Sequence, residues 1–254
     1  MLTQQNLRYS LDIAPLPWDS GIFGFGCAAL VLTGQQASGT AGAPARELIP
    51  LLLNAKKRGI RFVTAKIPAE ETSLVAACLS QGGKLVDSEL TFTKMAPTSP
   101  PEPPAMDRFH LVKATNYWDD SLYQLAETVN KSRFFTDSEI PAQTALELWR
   151  QSIRNSCTGR ADYSVFAFSG DHPAGLINVF ERDGVSDIFL LAVMPEFQGQ
   201  GLGQAMISFY QHALDREITT QVVETQLTNY AAQKLYANMG YRTTAAKHVV
   251  HFWL

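Results

Sequence analysis

A mixed α/β (α+β) fold is predicted by three features of this 254-residue chain. Helical and strand periodicities alternate along most of its length, which calls for helices packed on a sheet. A short apolar run, Ile188 to Met194, breaks into glycines at Gly199, Gly201 and Gly203 and then resumes with helical spacing. The order strand, helix, glycine, strand also occurs twice, from Phe62 through Gly82-Gly83 to Thr93 and from Val222 through Gly240 to Phe252.

In chain order, the patterns predict a strand over 28–32, a helix over 44–57, a strand over 61–67, a helix over 71–80 and a strand over 84–94. The glycine-rich stretch 33–42 is padded with Ser, Thr and Gln and is expected to be a mobile loop. Five prolines between Ala96 and Ala105 admit neither helix nor central strand, so an extended polyproline linker is expected there. It divides the chain into an N-terminal α/β domain over 1–95, a linker over 96–106 and a second domain over 107–254. In the second domain, helices are expected over 118–130 and 142–155, and strands over 163–169, 174–181 and 185–194. The helix after Gly203 carries Ala205, Met206, Phe209, Tyr210 and Ala213 as its apolar stripe. A strand over 219–227, a helix capped by Thr228 or Asn229 and ended by Gly240, and a last strand complete the chain.

Composition narrows the function. With 46% hydrophobic and 18% charged residues and a formal net charge of −3, the chain has the balance of a soluble globular protein and no long-range attraction to nucleic acid. Three scattered cysteines, Cys27, Cys78 and Cys157, are read as reduced and buried, and the five histidines show no metal-ligand spacing. No metal is expected. The polar start and the lack of a run of about 20 apolar residues predict neither leader nor membrane span, hence a cytoplasmic protein.

Glycines at Gly199, Gly201 and Gly203 let the backbone turn tightly and approach a ligand, while the unpaired amides of the following helix point toward an anion. A diphosphate fits such a cradle. A dinucleotide fold would place these glycines near the start of a βαβ unit with an acidic residue about 20 positions on. Here they fall in the last quarter of the chain. Downstream, Ala231, Leu235 and Met239 recur as a core stripe, and Asn229, Ala232 and Tyr236 share another face that can line a cleft.

The sequence Gln198-Gly199-Gln200-Gly201-Leu202-Gly203, followed by Asn229, Ala232, Tyr236 and Gly240-Tyr241, resembles the acyl-CoA-binding core of the GNAT N-acetyltransferase superfamily. The resemblance implies a GNAT-like acyl-CoA N-acyltransferase fold with a smaller N-terminal α/β domain, which reads either as a degenerate GNAT half or as a coincidental likeness. It implies acetyl-CoA as co-substrate. The pantetheine arm and thioester oxygen would lie on the backbone of Leu190, Leu191, Ala192 and Val193, and the pyrophosphate on the amides from Gln198 to Gln204, with Asn229 and Tyr236 alongside. Tyr236 would act as general acid toward the CoA sulfur. A phenol of pKa about 10 and a thiol of about 8.5 differ by roughly 2 kcal/mol, a small uphill step. The base is left open among Glu181, Asp187 and water.

The stretches Leu16-Pro17-Trp18-Asp19-Ser20-Gly21-Ile22-Phe23-Gly24 and Asn130-Lys131-Ser132-Arg133-Phe134-Phe135-Thr136-Asp137, with Thr225-Gln226 and His251-Phe252-Trp253-Leu254, resemble the bacterial dTDP-fucosamine acetyltransferases. Those enzymes acetylate the 4-amine of dTDP-4-amino-4,6-dideoxygalactose. The resemblance implies a nucleotide-linked amino sugar as the small-molecule acceptor, met by Trp18, Phe23, Arg133 and Gln226, and makes a homodimer plausible. Trp18 and Phe23 serve equally as packing anchors. Two other readings stay open: acetylation of a small amine or protein N-terminus, and a CoA-binding sensor without turnover.

Overall fold

A computed structural model describes residues 10–33, 43–96, 102, 106–215 and 217–254. The glycine-rich stretch 34–42, the first nine residues and most of the proline-rich segment lie outside the described residues. The chain forms two compact units: Met1–Glu89 with Thr136–Ile140 and Ala245–Leu254, and Leu90–Phe135 with Pro141–Thr244.

Unit 1 is a mixed sheet covered by helices. Its strands are β1 (Ser10–Pro15), β2 (Gly26–Thr33), β3 (Ile60–Pro68), the first half of β4 (Lys84–Met95) and the second half of β10 (Arg242–Trp253), in the order β1-β2-β3-β10-β4. β2 and β3 run parallel because helix α2 (Ala43–Lys57) intervenes, while β1 with β2 and β3 with β10 are antiparallel. Leu48, Leu52 and Ala55 of α2 and Leu74 and Cys78 of α3 (Thr72–Ser80) bury against Val63, Ala65 and Ile67 of β3. Two elements here were not expected. β1 carries its signal in the alternation of buried Leu11 and Ile13. The short helix α1 (Pro17–Phe23) starts at a proline and stops at Gly24, held at φ 72°.

Unit 2 has the strand order β10-β4-β9-β8-β7-β6-β5, with β5 (His110–Ala114), β6 (Tyr163–Ser169), β7 (His172–Arg182), β8 (Val185–Val193) and β9 (Thr220–Gln226). Antiparallel ladders join β5 to β8 in sequence, and β8 to β9 is parallel. Asp183 and Gly184, both at positive φ, form the two-residue turn that closes the β7–β8 hairpin. β5 lies at an edge and is half exposed, so it shows no clean alternation in sequence.

Both faces of this sheet are covered. On one, α6 (Leu202–His212) and α7 (Tyr230–Asn238) bury Met206, Tyr210 and Tyr236 against Val165, Ile177 and Ile188. On the other, Leu122 and Leu125 of a 310 helix (Asp120–Val129) and Ile153 of α5 (Ala142–Asn155) bury against Phe166, Leu176 and Leu190. The 310 segment replaces the α-helix expected over 118–130, and a three-residue step suits its fully buried pair Leu122 and Leu125. In α7 the buried stripe is Ala232, Leu235, Tyr236 and Met239, whereas Ala231 is exposed. This corrects the expected stripe: the i, i+3, i+4, i+7 face wins over a strict four-residue repeat, which drifts around the helix.

Candidate functional site

Two irregularities of β8 open a cleft in unit 2. Against β7, Ile188 faces Val179 and Leu190 faces Asn178, so Phe189 is an extra residue without a partner of its own, a β-bulge. One extra residue reverses the alternation of faces. Ile188 joins the core beneath α6 and α7, while Leu190 and Ala192 join the opposite core beneath the 310 helix and α5. Against β9, parallel pairing ends at Ile188 with Val223, although β8 continues to Val193 and β9 to Gln226. Past that point the strands part, leaving the β9-facing edge of 189–193 with backbone groups that no ladder between them uses.

The loop after β8 is built by backbone conformation. Gly199 and Gly201 sit at φ 72° and 80°, and a Cβ added to either would meet nothing within 4 Å. Conformation rather than crowding therefore demands glycine at both. Gly203 has the opposite reason: a Cβ there would lie 3.2 Å from Leu235 Cδ2, so its small size lets α6 approach α7. Gly201 is the N-cap of α6 and supplies no side-chain cap, so the amides of the first turn and the positive end of the helix dipole are turned toward the loop.

Helix α7 forms the facing wall. Asn229 caps it by accepting from the Ala232 N–H at 3.5 Å and donates through Nδ2 to Thr225 Oγ1 at 3.2 Å. Gly240, at φ 84°, takes the left-handed position past its end. The Tyr236 ring is held between Phe92 and Tyr241, with centroids at 5.7 and 5.9 Å. Burial pushes its phenol above the ordinary tyrosine value, so it stays protonated throughout the neutral range. Together these elements enclose about 1320 Å³, lined by the splayed ends of β8 and β9, the glycine loop, α7, and on the other face of the sheet by the end of the 310 helix and Trp149 of α5.

Residues 122–241, which contain this whole arrangement apart from Phe92, match the Acetyltransferase (GNAT) family. The chain carries a GNAT acetyltransferase domain. Such domains are acetyl-CoA-dependent acyltransferases. Relatives agree. The chain is 24% identical over 194 residues to the spore coat polysaccharide biosynthesis protein SpsD of Bacillus subtilis, covering 76% of this chain and 66% of that protein. It is 36% identical over 66 residues to an uncharacterized N-acetyltransferase of Archaeoglobus fulgidus, covering 26% of this chain and 45% of that one. The chain thus spans about two thirds or less of the length of these relatives. Among solved structures, a tandem GNAT protein from the clavulanic acid biosynthesis pathway superposes with a TM-score of 0.62 at 16% identity, over 89% of this chain and 75% of the other. No helix among the described residues is long and apolar enough to cross a membrane.

Within the acetyltransferase domain, every residue expected from the sequence to meet the cofactor lines the cleft except Gln200. Its side chain is turned to Glu196, donating to the carbonyl at 2.8 Å, and accepts from Arg108 at 3.0 Å. Of the expected acceptor residues, Gln226 lines the cleft. Arg133, in the short helix α4 (Arg133–Thr136), does not; its guanidinium lies 4.4 Å over the Phe134 ring. Trp18 and Phe23 belong to unit 1, where Phe23 stacks on Phe62 at 5.4 Å and Trp18 is 40% exposed.

Neither carboxylate suggested as base lines the cleft. Glu181 is engaged by the hydroxyls of Tyr163 at 3.2 Å and Ser186 at 3.3 Å, and Asp187 pairs opposite Val222, short of the opening. The sequence reading missed Glu224, which lines the cleft one residue beyond the last β8–β9 pair and accepts from Thr91 Oγ1 at 3.2 Å. A lone carboxylate following Val222 and Val223 in a half-buried strand was the available signal. Trp149 gave none, since it sits on the apolar stripe of α5, whereas Lys131 lies in the stretch 130–137 that the sequence marks, where Arg133 was taken as the acceptor residue instead.

Proposed function

We propose that this domain transfers the acetyl group of acetyl-CoA to the amine of a nucleotide-linked amino sugar. The observation that carries the acetyl-CoA part is the opening of β8 from β9 directly before a positive-φ glycine loop at the start of α6, with Tyr236 on the opposite wall. The loop amides and the α6 N-terminus suit a diphosphate, and the unladdered edge at Leu190, Leu191 and Val193 suits an extended amide-bearing arm and a thioester oxygen. The amine nitrogen forms a bond to the thioester carbon, the carbon–sulfur bond breaks, and Tyr236 supplies a proton to the departing sulfur directly or through water. Glu224 takes the proton released by the amine. The sugar acceptor is supported by the relative whose name places it in polysaccharide biosynthesis.

Three measurements test this reading. Gly201→Val forces a β-branched residue into a left-handed conformation, so acetyl-CoA affinity by calorimetry should fall about tenfold or more. Unchanged affinity in a folded variant would sink the assignment of the loop. For the acceptor, turnover on a dTDP-linked 4-amino-4,6-dideoxyhexose should exceed that on the free amino sugar by a wide margin. Equal rates would remove the nucleotide-sugar assignment and leave the acetyltransferase intact. For the base, Glu224→Gln should reduce turnover by roughly 10² to 10⁴-fold, with acetyl-CoA binding kept. Unchanged turnover would return the proton to water.

A further inference from the structure

The cleft reaches both faces of the sheet through the gap between β8 and β9, because its lining includes α7 and the start of α6 on one face and the 310 helix end with Trp149 on the other. With acetyl-CoA on the glycine-loop face, the amine approaches from the opposite mouth. We propose that this mouth, formed by Asn130, Lys131 and Trp149, is a subsite for the diphosphate of the acceptor and the ring attached to it, with Lys131 rather than Arg133 as the residue that reads the negative charge. This deepens, and rests on, the sugar-nucleotide reading above.

The geometry of the turn carries the assignment. Ser132 is 3% exposed; its N–H donates to the Val129 carbonyl at 3.2 Å, and its Oγ accepts from Trp149 Nε1 at 2.8 Å. That pair of bonds fixes two things together: the backbone from which Lys131 projects and the plane of the Trp149 ring, which backs onto Phe189 of the bulge at 6.4 Å. A tryptophan locked by its N–H offers a flat apolar face to a sugar or base without further loss of side-chain freedom. Charge favours Lys131. Glu127, the acidic residue of the 310 helix end, is met by Arg150 at 3.7 Å, whereas Lys131 is exposed, lines the cleft and has no ion pair or hydrogen bond with any described residue. An ammonium on a flexible stem suits a diphosphate whose position shifts as the amine is delivered.

The decisive probe is inorganic pyrophosphate, titrated by calorimetry into the full chain with its glycine loop saturated by CoA. Wild type should bind it, and Lys131→Met, which keeps the aliphatic stem, should weaken binding about tenfold or more, with Lys131→Arg restoring it and Arg133→Met leaving it unchanged. In turnover, Lys131→Met should raise KM for the nucleotide-linked amino sugar while leaving KM for acetyl-CoA as it was. Absence of pyrophosphate binding beside CoA, or equal binding by Lys131→Met, overturns the subsite. A rise in KM for acetyl-CoA overturns it too, by moving Lys131 to the cofactor's end. Failure of the sugar-nucleotide reading would show separately, as a wild type that acetylates the free and the nucleotide-linked sugar equally well.

Discussion

Tyr236→Phe should lower turnover by roughly 10² to 10⁴-fold while acetyl-CoA affinity is nearly unchanged, since one hydroxyl is lost and the ring that packs between Phe92 and Tyr241 is kept. The effect should fall on kcat, because the proton is needed only as the carbon–sulfur bond breaks. Burial holds the phenol above its ordinary value, so the acid form persists to high pH and wild-type activity should show no loss from Tyr236 ionisation until above about pH 10. The comparison is made at saturating acetyl-CoA and acceptor, with binding measured separately by calorimetry. A variant that turns over like wild type would remove Tyr236 as the acid. A wild type that binds acetyl-CoA tightly yet acetylates no amine in a broad panel would favour the sensor reading.

Asp137→Ala should destabilise unit 1 by about 2–5 kcal/mol, because it removes a buried carboxylate whose hydrogen-bond partners are left unsatisfied at about 1–3 kcal/mol each. Asp137 is 2% exposed and His251 0%. One carboxylate oxygen, Oδ2, meets His251 Nδ1 at 2.8 Å and accepts from Trp253 Nε1 at 3.1 Å, and Oδ1 accepts from the Glu139 N–H at 3.0 Å. Burial alone would raise this carboxyl, but the hydrogen bonds from His251, Glu139 and Trp253 outweigh it and hold the group below the usual aspartate range. A depressed folded value means that the stabilisation is present above the unfolded value of about 3.9 and is lost as pH falls through the folded value. Wild type should therefore lose part of its stability below about pH 4, and the alanine variant should lose less there. Denaturant midpoints across that range check both statements; Asp137→Asn, which keeps most of the hydrogen bonding, should fall between the two. Equal midpoints for wild type and alanine near neutral pH would show that the pair contributes nothing.

The surroundings of this aspartate join two stretches that are far apart in the sequence. The run from Asn130 to Asp137 looks like site material because aromatic and charged residues cluster off the apolar periodicity, and the ending His251-Phe252-Trp253-Leu254 shares with it the resemblance to nucleotide-sugar acetyltransferases. Folding separates the run. Asn130 and Lys131 face the cleft in unit 2, whereas Asp137 is taken into unit 1 by a strand end 114 residues further on. Nothing local in either stretch marks that pairing. Glu181 and Asp187 are candidate bases in the sequence as carboxylates on adjacent strands, but the ladder fixes one in a hydroxyl network and the other before the opening.

By itself, the sequence determined the features whose causes are local. The glycine loop is legible because glycine alone readily takes the positive φ found at Gly199 and Gly201, a property of single residues, and α7 is legible because an Asn cap and a terminal Gly240 fall one helix length apart. The element order from 28 to 94 and from 142 to 253 follows for the same reason, since periodicity is a short-range signal. Only the tertiary structure decided where β8 stops pairing with β9, that Phe189 is the bulged residue, and that Glu224, Lys131 and Trp149 meet one cleft. Each of these depends on register between strands or on the docking of separate helices, and a shift of one residue in register exchanges the faces of a strand while leaving its own sequence pattern untouched.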